Sequence, residues 1–247
     1  MPITARKLYR DTLNFFRHQL NTICLLVLLT ALISIILNHL FMINGDDYSI
    51  LSHTDISYNT GMGLQEIIQQ MTSAQQKSLL KISLAASFAA LISNVILLGS
   101  MLVLIPYASK GQHLSPLRAI CIAIPTLPYL ILLMFVCTVI VQLGMTAFII
   151  PGIVFAIGLS LAPIIMSKEG TGVVQSIHIS FRLAFANIRL IIPAIIFWLV
   201  TKLSLLMSLK LLFTLHPIIA MLIIAVLSNL VSVLLIIYLS RLYMLKK

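Results

Sequence analysis

The chain has 247 residues, 60% of them apolar and only 9% charged, with a mean hydropathy of +1.11. Soluble domains carry about 25% charged residues, so this chain has too little polar material to clothe a globule in water, and an ordinary soluble enzyme or binding domain is excluded. The net charge of +10 comes from 16 Lys and Arg against 6 Asp and Glu; these charges flank apolar segments instead of forming a basic arm, which points to cytoplasmic loops and anionic lipid headgroups and away from nucleic acid.

In chain order, residues 1–20 place Arg6, Lys7, Arg10 and Arg17 on one helical side and Tyr9, Leu13, Phe16 and Leu20 on another. That spacing predicts an amphipathic helix lying on the cytoplasmic membrane surface. The apolar stretch 22–43 is too long for a signal-peptide core, and Asn38-His39 stands where a small-residue cleavage site would be. It reads as an uncleaved first span. Because a helix rises about 1.5 Å per residue, roughly 20 apolar residues cross about 30 Å of hydrocarbon. This ruler gives six spans, at 22–43, 82–107, 117–143, 151–167, 191–213 and 218–240. Pro125 and Pro128 should kink the third near one end. The fourth is short, so a thin span is expected there and a re-entrant hairpin stays open. The fold class is all-α, a polytopic membrane protein with six transmembrane helices plus amphipathic interfacial helices.

Local punctuation fits these borders. Ser73-Ala-Gln-Gln76 suits a capping box before the second span, Ser115-Pro116 suits an N-cap followed by Pro, and Pro151, Pro193 and Pro217 fall near helix starts. Six spans put both termini on one side. Twelve Lys and Arg then share that side, two (Lys77 and Lys81) lie opposite, and two fall within span five. The positive-inside rule makes the twelve-charge side, and both termini, cytoplasmic. Residues 44–81 form a small exterior cap with Asp46, Asp47, Asp55 and Glu66, too short for a catalytic domain.

The most costly residue is Lys202, near the middle of the fifth span, where insertion scales charge about 2.5–3.5 kcal/mol for a Lys. Thr201, Ser204 and Ser208 form a polar stripe beside it. All six carboxylates, Asp11, Asp46, Asp47, Asp55, Glu66 and Glu169, lie outside the spans. Lys202 would therefore meet carbonyls, hydroxyls, a hydrated cavity or a lipid phosphate, or else snorkel along a tilted helix. Lys210, nearer the exterior end, is expected to snorkel. The absence of an intramembrane Asp or Glu lowers the case for a proton-coupled carrier. Asn94, Gln142 and Asn229 suit interhelical hydrogen bonding.

Gly152, Ala156 and Ser160 recur every four residues, a small-residue face that admits a second helix closely, with packing inside the chain as the default. Residues 172–189 put Val174, Ile177, Phe181, Ala184 and Ile188 on one face and Gln175, His178, Arg182 and Arg189 on the other. This predicts a basic amphipathic helix in the cytoplasmic interface, either touching anionic headgroups or acting as a collar between two spans. Cys24, Cys121 and Cys137 lie in or beside apolar stretches and read as small buried hydrophobes. Ser78-Leu-Leu-Lys81 and Gly170-Thr-Gly172 lack the settings that would give them meaning. No metal-ligand cluster, cofactor motif or acid/base pair is visible, so no metal and no cofactor are expected.

Ile3-Thr-Ala, Tyr9-Arg-Asp11, Asn14-Phe-Phe-Arg17, Ser115-Pro-Leu-Arg-Ala119, Pro151-Gly-Ile153, Leu161-Ala-Pro163 and Leu239-Ser-Arg-Leu-Tyr-Met-Leu245 carry a resemblance along the whole chain. The chain resembles the YciC family of enterobacterial inner-membrane proteins, which implies six spans and an inner-membrane location and supplies no activity. More distantly, Pro151-Gly152, Pro163, Gly172 to Ser176, Ser180-Phe-Arg182 and Asn187 are similar to a pattern in the membrane domain attached to some bacterial glycerophosphodiester phosphodiesterases. The phosphodiesterase domain itself is absent from the sequence.

The functional expectation is a non-enzymatic inner-membrane component that contacts anionic lipid headgroups or a protein partner in envelope maintenance. The alternative is a carrier or channel for a small anionic solute using Lys202, Thr201 and Ser204. An intramembrane lipid enzyme is disfavoured because no nucleophile, acid/base or metal constellation is visible. A closed cluster of His178, Glu169 and Arg182 would reverse that.

Overall fold

The computed structural model describes residues 5–41, 71–112, 114–212 and 217–246. Ten α-helices occur among them: α1 Ala5–His18, α2 Leu20–Phe41, α3 Ser73–Ser109, α4 Pro116–Ala123, α5 Leu127–Ala147, α6 Ile149–Leu159, α7 Ala162–Glu169, α8 Val173–Ala186, α9 Ile188–Leu212 and α10 Pro217–Lys246. There is no strand among the described residues. Six segments are long and apolar enough to cross a membrane: Leu20–Phe41, Ser73–Ser109, Pro116–Ala147, Ile150–Glu169, Ile188–Ser208 and Ile219–Lys246. The chain is an all-α polytopic membrane protein. Residues 44–70 of the segment expected to form an exterior cap lie outside the described residues, as do Lys247 and the side chain of Lys210.

Prolines shape two of the spans. Pro125 and Pro128 lack the N–H that would reach back four residues, and the third span changes there from α4 through a 3-10 turn, Ile124–Thr126, into α5. In the fourth span Pro163 does the same between α6 and α7, where Ser160 N–H turns to the Ile157 carbonyl at 3.3 Å. The fourth span is bent rather than re-entrant: α6 starts one residue after α5 ends, and α7 finishes at Glu169, which accepts the Tyr243 hydroxyl near the end of α10. Gly170 closes α7 with φ +63°, a left-handed position that costs glycine little.

The chain divides into two compact units, Met1–Leu32 with Ser93–Lys247, and Ile33–Ile92. The second holds the end of α2 and the opening of α3. Its capping box sits one residue earlier than the sequence suggested. Thr72 N–H donates to Gln75 Oε1 at 2.8 Å and Gln75 N–H donates to Thr72 Oγ1 at 3.4 Å, so Thr72 rather than Ser73 supplies the reciprocal pair.

The first unit has two apolar cores. One joins Leu98 and Leu102 of α3 to Ile157, Ile164 and Ile165 of the bent span, Ile191 of α9 and Leu239 and Leu242 of α10. The other joins Phe15 of α1 to Ile23 and Leu26 of α2, Met101 and Ile105 of α3 and Val233 and Ile237 of α10. Between spans, Asn229 Nδ2 donates to Thr30 Oγ1 at 3.3 Å, an interhelical bond of the sort that polar residues form in lipid. α1 lies against α10, with Asp11 3.6 Å from Arg241 and the Tyr9 and Tyr238 rings 5.0 Å apart. The two ends of the described chain therefore meet at one end of the bundle.

Candidate functional site

At the end of the bundle that carries the termini, α1 divides into three sectors. Leu8, Thr12 and Phe15 are buried against the bundle. Of the predicted apolar side, Leu13 and, just past the end of α1, Leu20 are exposed, Tyr9 is partly exposed with its ring against Tyr238, and Phe16 is half-buried against the core; Arg6, Arg10 and Arg17 are exposed next to them. α1 therefore keeps apolar surface exposed at Leu13 and the edge of Tyr9 beside its cations. The two described carboxylates are engaged here, Asp11 with Arg241 and Glu169 with Tyr243. Among the described residues, Arg6, Arg10 and Arg17 pair with no carboxylate.

The face by which α8 meets the bundle overlaps the predicted apolar face at Phe181, Ala184 and Ile188 but is rotated away from Val174. Ser176, Ser180 and Ala184 are buried, and Val174 is 80% exposed. The reason is close packing. Ser180 Oγ donates to the Gly158 carbonyl at 2.6 Å, and the ring of Phe181 lies where a side chain at position 158 would be. Small Ser176, Ser180 and Ala184 admit this approach, and Val174 is left outside it. His178, Arg182 and Arg189 remain exposed with Phe185 beside them. The cluster of His178, Arg182 and Glu169 that would have suggested catalysis is not assembled: His178 and Arg182 face outward, and Glu169 takes the Tyr243 hydroxyl.

Deeper in the same unit, a cavity of about 540 Å³ opens among α3, α5, α6, α7, α9 and α10. Lys202 lines it with its ammonium 4.8 Å over the Trp198 ring. Trp198 stands one turn back along α9, and its Nε1–H donates to Ser232 Oγ of α10 at 3.4 Å. Polar Asn94, Thr138 and Gln142 line the part farther from the termini and are exposed. Leu98, Leu159 and Leu239, nearer the termini, are buried. The lining is mainly apolar.

Of the other residues singled out in the sequence, Thr201 and Ser204 do not line the cavity. Their hydroxyls donate to the carbonyls of Phe197 at 2.7 Å and Val200 at 2.9 Å on their own helix, as such groups commonly do in apolar surroundings. Ala156 and Ser160 line the cavity, while Gly152 packs on Gly144 and Met145 of α5. The small-residue face thus works within the chain: one part draws two spans together, and the rest leaves space. The sequence reading missed Trp198, Thr138 and Ser232. Trp198 was within reach, because it precedes Lys202 by four residues; nothing in the sequence marks Ser232.

The profile of the uncharacterised protein family UPF0259 matches residues 1–245. The chain belongs to the UPF0259 family. This is the family that its residues resembled under the YciC name. The UPF0259 membrane protein of Serratia proteamaculans (strain 568) is 53% identical over 247 residues, covering 99% of each chain. That of Yersinia pestis (strain Pestoides F) is 48% identical, covering 99% of this chain and 96% of its own, and that of Yersinia pseudotuberculosis serotype O:3 (strain YPIII) gives the same figures. No solved structure matches this UPF0259 chain.

Proposed function

We propose that this UPF0259 chain is a non-enzymatic component of the bacterial inner membrane whose cytoplasmic end holds anionic lipid headgroups. The carrying observation is the exposed side of α1 and the first residue of α2, where Arg6, Arg10 and Arg17 stand beside Tyr9, Leu13 and Leu20. Aromatic and aliphatic groups sink into the headgroup boundary while neighbouring guanidinium groups take phosphate oxygens in a forked geometry. The exposed His178, Arg182 and Arg189 at the same end extend the basic surface. Solute carriage fits less well: the cavity lining is mainly apolar, and the hydroxyls of Thr201 and Ser204 are taken up by their own helix.

Native mass spectrometry of the protein extracted with its own bilayer tests this. The wild type is expected to retain anionic phospholipid, and Arg6→Gln with Arg10→Gln and Arg17→Gln together is expected to lose most of it. Equal retention by both forms, or none by either, overturns the proposal.

A further inference from the structure

The cavity around Lys202 stands apart from the basic surface at the cytoplasmic end. A cation within a span needs a counterpart, and among the described residues no carboxylate lines this cavity. A snorkelling Lys on the second half of α9 would extend toward the nearer interface, away from the chain termini. Lys202 instead folds back one turn over Trp198. The indole is fixed in turn by its bond to Ser232, so the ammonium is held at the cavity wall, and among the described residues no acceptor takes its N–H groups.

The rest of the lining says what that acceptor would be attached to. Polar Asn94, Thr138, Gln142 and Lys202 occupy the exposed end, and Leu98, Met134, Ile195 and Leu239 form the floor. A small hydrated anion would find few partners on that floor, whereas an amphiphile matches both ends at once. Ala156 and Ser160 leave the necessary width, and a volume of about 540 Å³ lies within the range of sites for small organic ligands.

We propose that this cavity binds an anionic membrane amphiphile, its acidic head on Lys202 at the mouth and its apolar chain on the floor formed by Leu98, Met134, Ile195 and Leu239. The bilayer itself supplies such molecules, and the exposed mouth lies within a membrane-spanning bundle. The site is independent of α1 and stands whether or not the cytoplasmic end holds lipid.

Trp198 is the chain's single tryptophan, so indole fluorescence reports on this cavity alone. The protein in phosphatidylcholine vesicles, which add no tryptophan, is titrated with dibromostearate, whose bromines quench indole on contact. Saturable quenching is expected, relieved by unbrominated stearate, while dibromostearyl alcohol gives only linear quenching through the bilayer. Lys202→Met should weaken the saturable phase about tenfold or more, and Lys202→Arg should largely retain it. Ala156→Leu, which keeps the cation and fills the floor, should abolish it. Like behaviour of acid and alcohol in the wild type overturns the proposal whatever the variants do, and so does unchanged affinity in a folded Lys202→Met.

Discussion

Ser180 of α8 and Gly158 of α6 are joined across 22 residues by a hydrogen bond of 2.6 Å from the hydroxyl to the carbonyl. The bond ties the helix between two spans to the span before it, and both partners are packed too closely for water to substitute. Ser180→Ala should therefore cost about 1–2 kcal/mol, the loss expected when a buried acceptor is left short of a donor. Gly158→Ala should cost more, because the added methyl would stand 2.6 Å from the Phe181 ring. Thermal unfolding in detergent, followed by circular dichroism, should rank wild type above Ser180→Ala and Ser180→Ala above Gly158→Ala.

That pair also marks the boundary of what the sequence could tell. Span number and position follow from hydropathy and length, which depend on a solvent that is the same for every membrane helix. The direction in which α8 faces does not. Hydrophobic patterning places Ala184 inward correctly, yet between membrane helices close approach is governed by size, so Ser176 and Ser180 turn inward with it and Val174 outward. Lys202 was legible as an anomaly because a charge in a span always is. Its partners were not, since Trp198 contributes by ring orientation and Ser232 by an approach across helices.

Arg241 has two attachments, to the Asp11 carboxylate at 3.6 Å and to the face of Phe15 with its guanidinium carbon 4.9 Å from the ring centre. The Asp11 side chain is 51% exposed, so solvent screens the ion pair, and Asp11→Asn should change stability by no more than about 0.5 kcal/mol. Arg241→Ala removes the cation over the ring and the stem that covers it, and should cost about 1–2 kcal/mol. Hydrogen exchange of the α1 amides in nanodiscs should rise clearly in Arg241→Ala and little in Asp11→Asn. Equal effects would mean that the ion pair, not the ring contact, holds α1 down.

Gly152 meets α5 more closely than any side chain allows. A methyl group added there would stand 2.8 Å from the backbone nitrogen of Met145, which cannot yield as a flexible side chain would. Gly152→Ala should push α5 and α6 apart and cost about 1–3 kcal/mol. Gly152→Leu should not give a monodisperse protein by size-exclusion chromatography. At Gly172, by contrast, nothing lies within 4 Å of an added methyl, and the backbone there is extended with φ −65°. Gly172→Ala should elute as wild type and serves as the control.

The charge pattern makes a prediction about orientation. Twelve Lys and Arg lie at the termini and in the segments level with them, against Lys77 and Lys81 before the second span, and the translocation machinery retains such charge on the cytoplasmic side. The pairing of Asp11 with Arg241 requires only that both ends share one side. A fluorescent reporter that folds only in the cytoplasm should light up when fused after Lys247, and alkaline phosphatase at the same junction should stay inactive. The reverse pattern would invert the whole bundle. It would put Arg6, Arg10 and Arg17 on the periplasmic face and turn the mouth of the Lys202 cavity toward the cytoplasm.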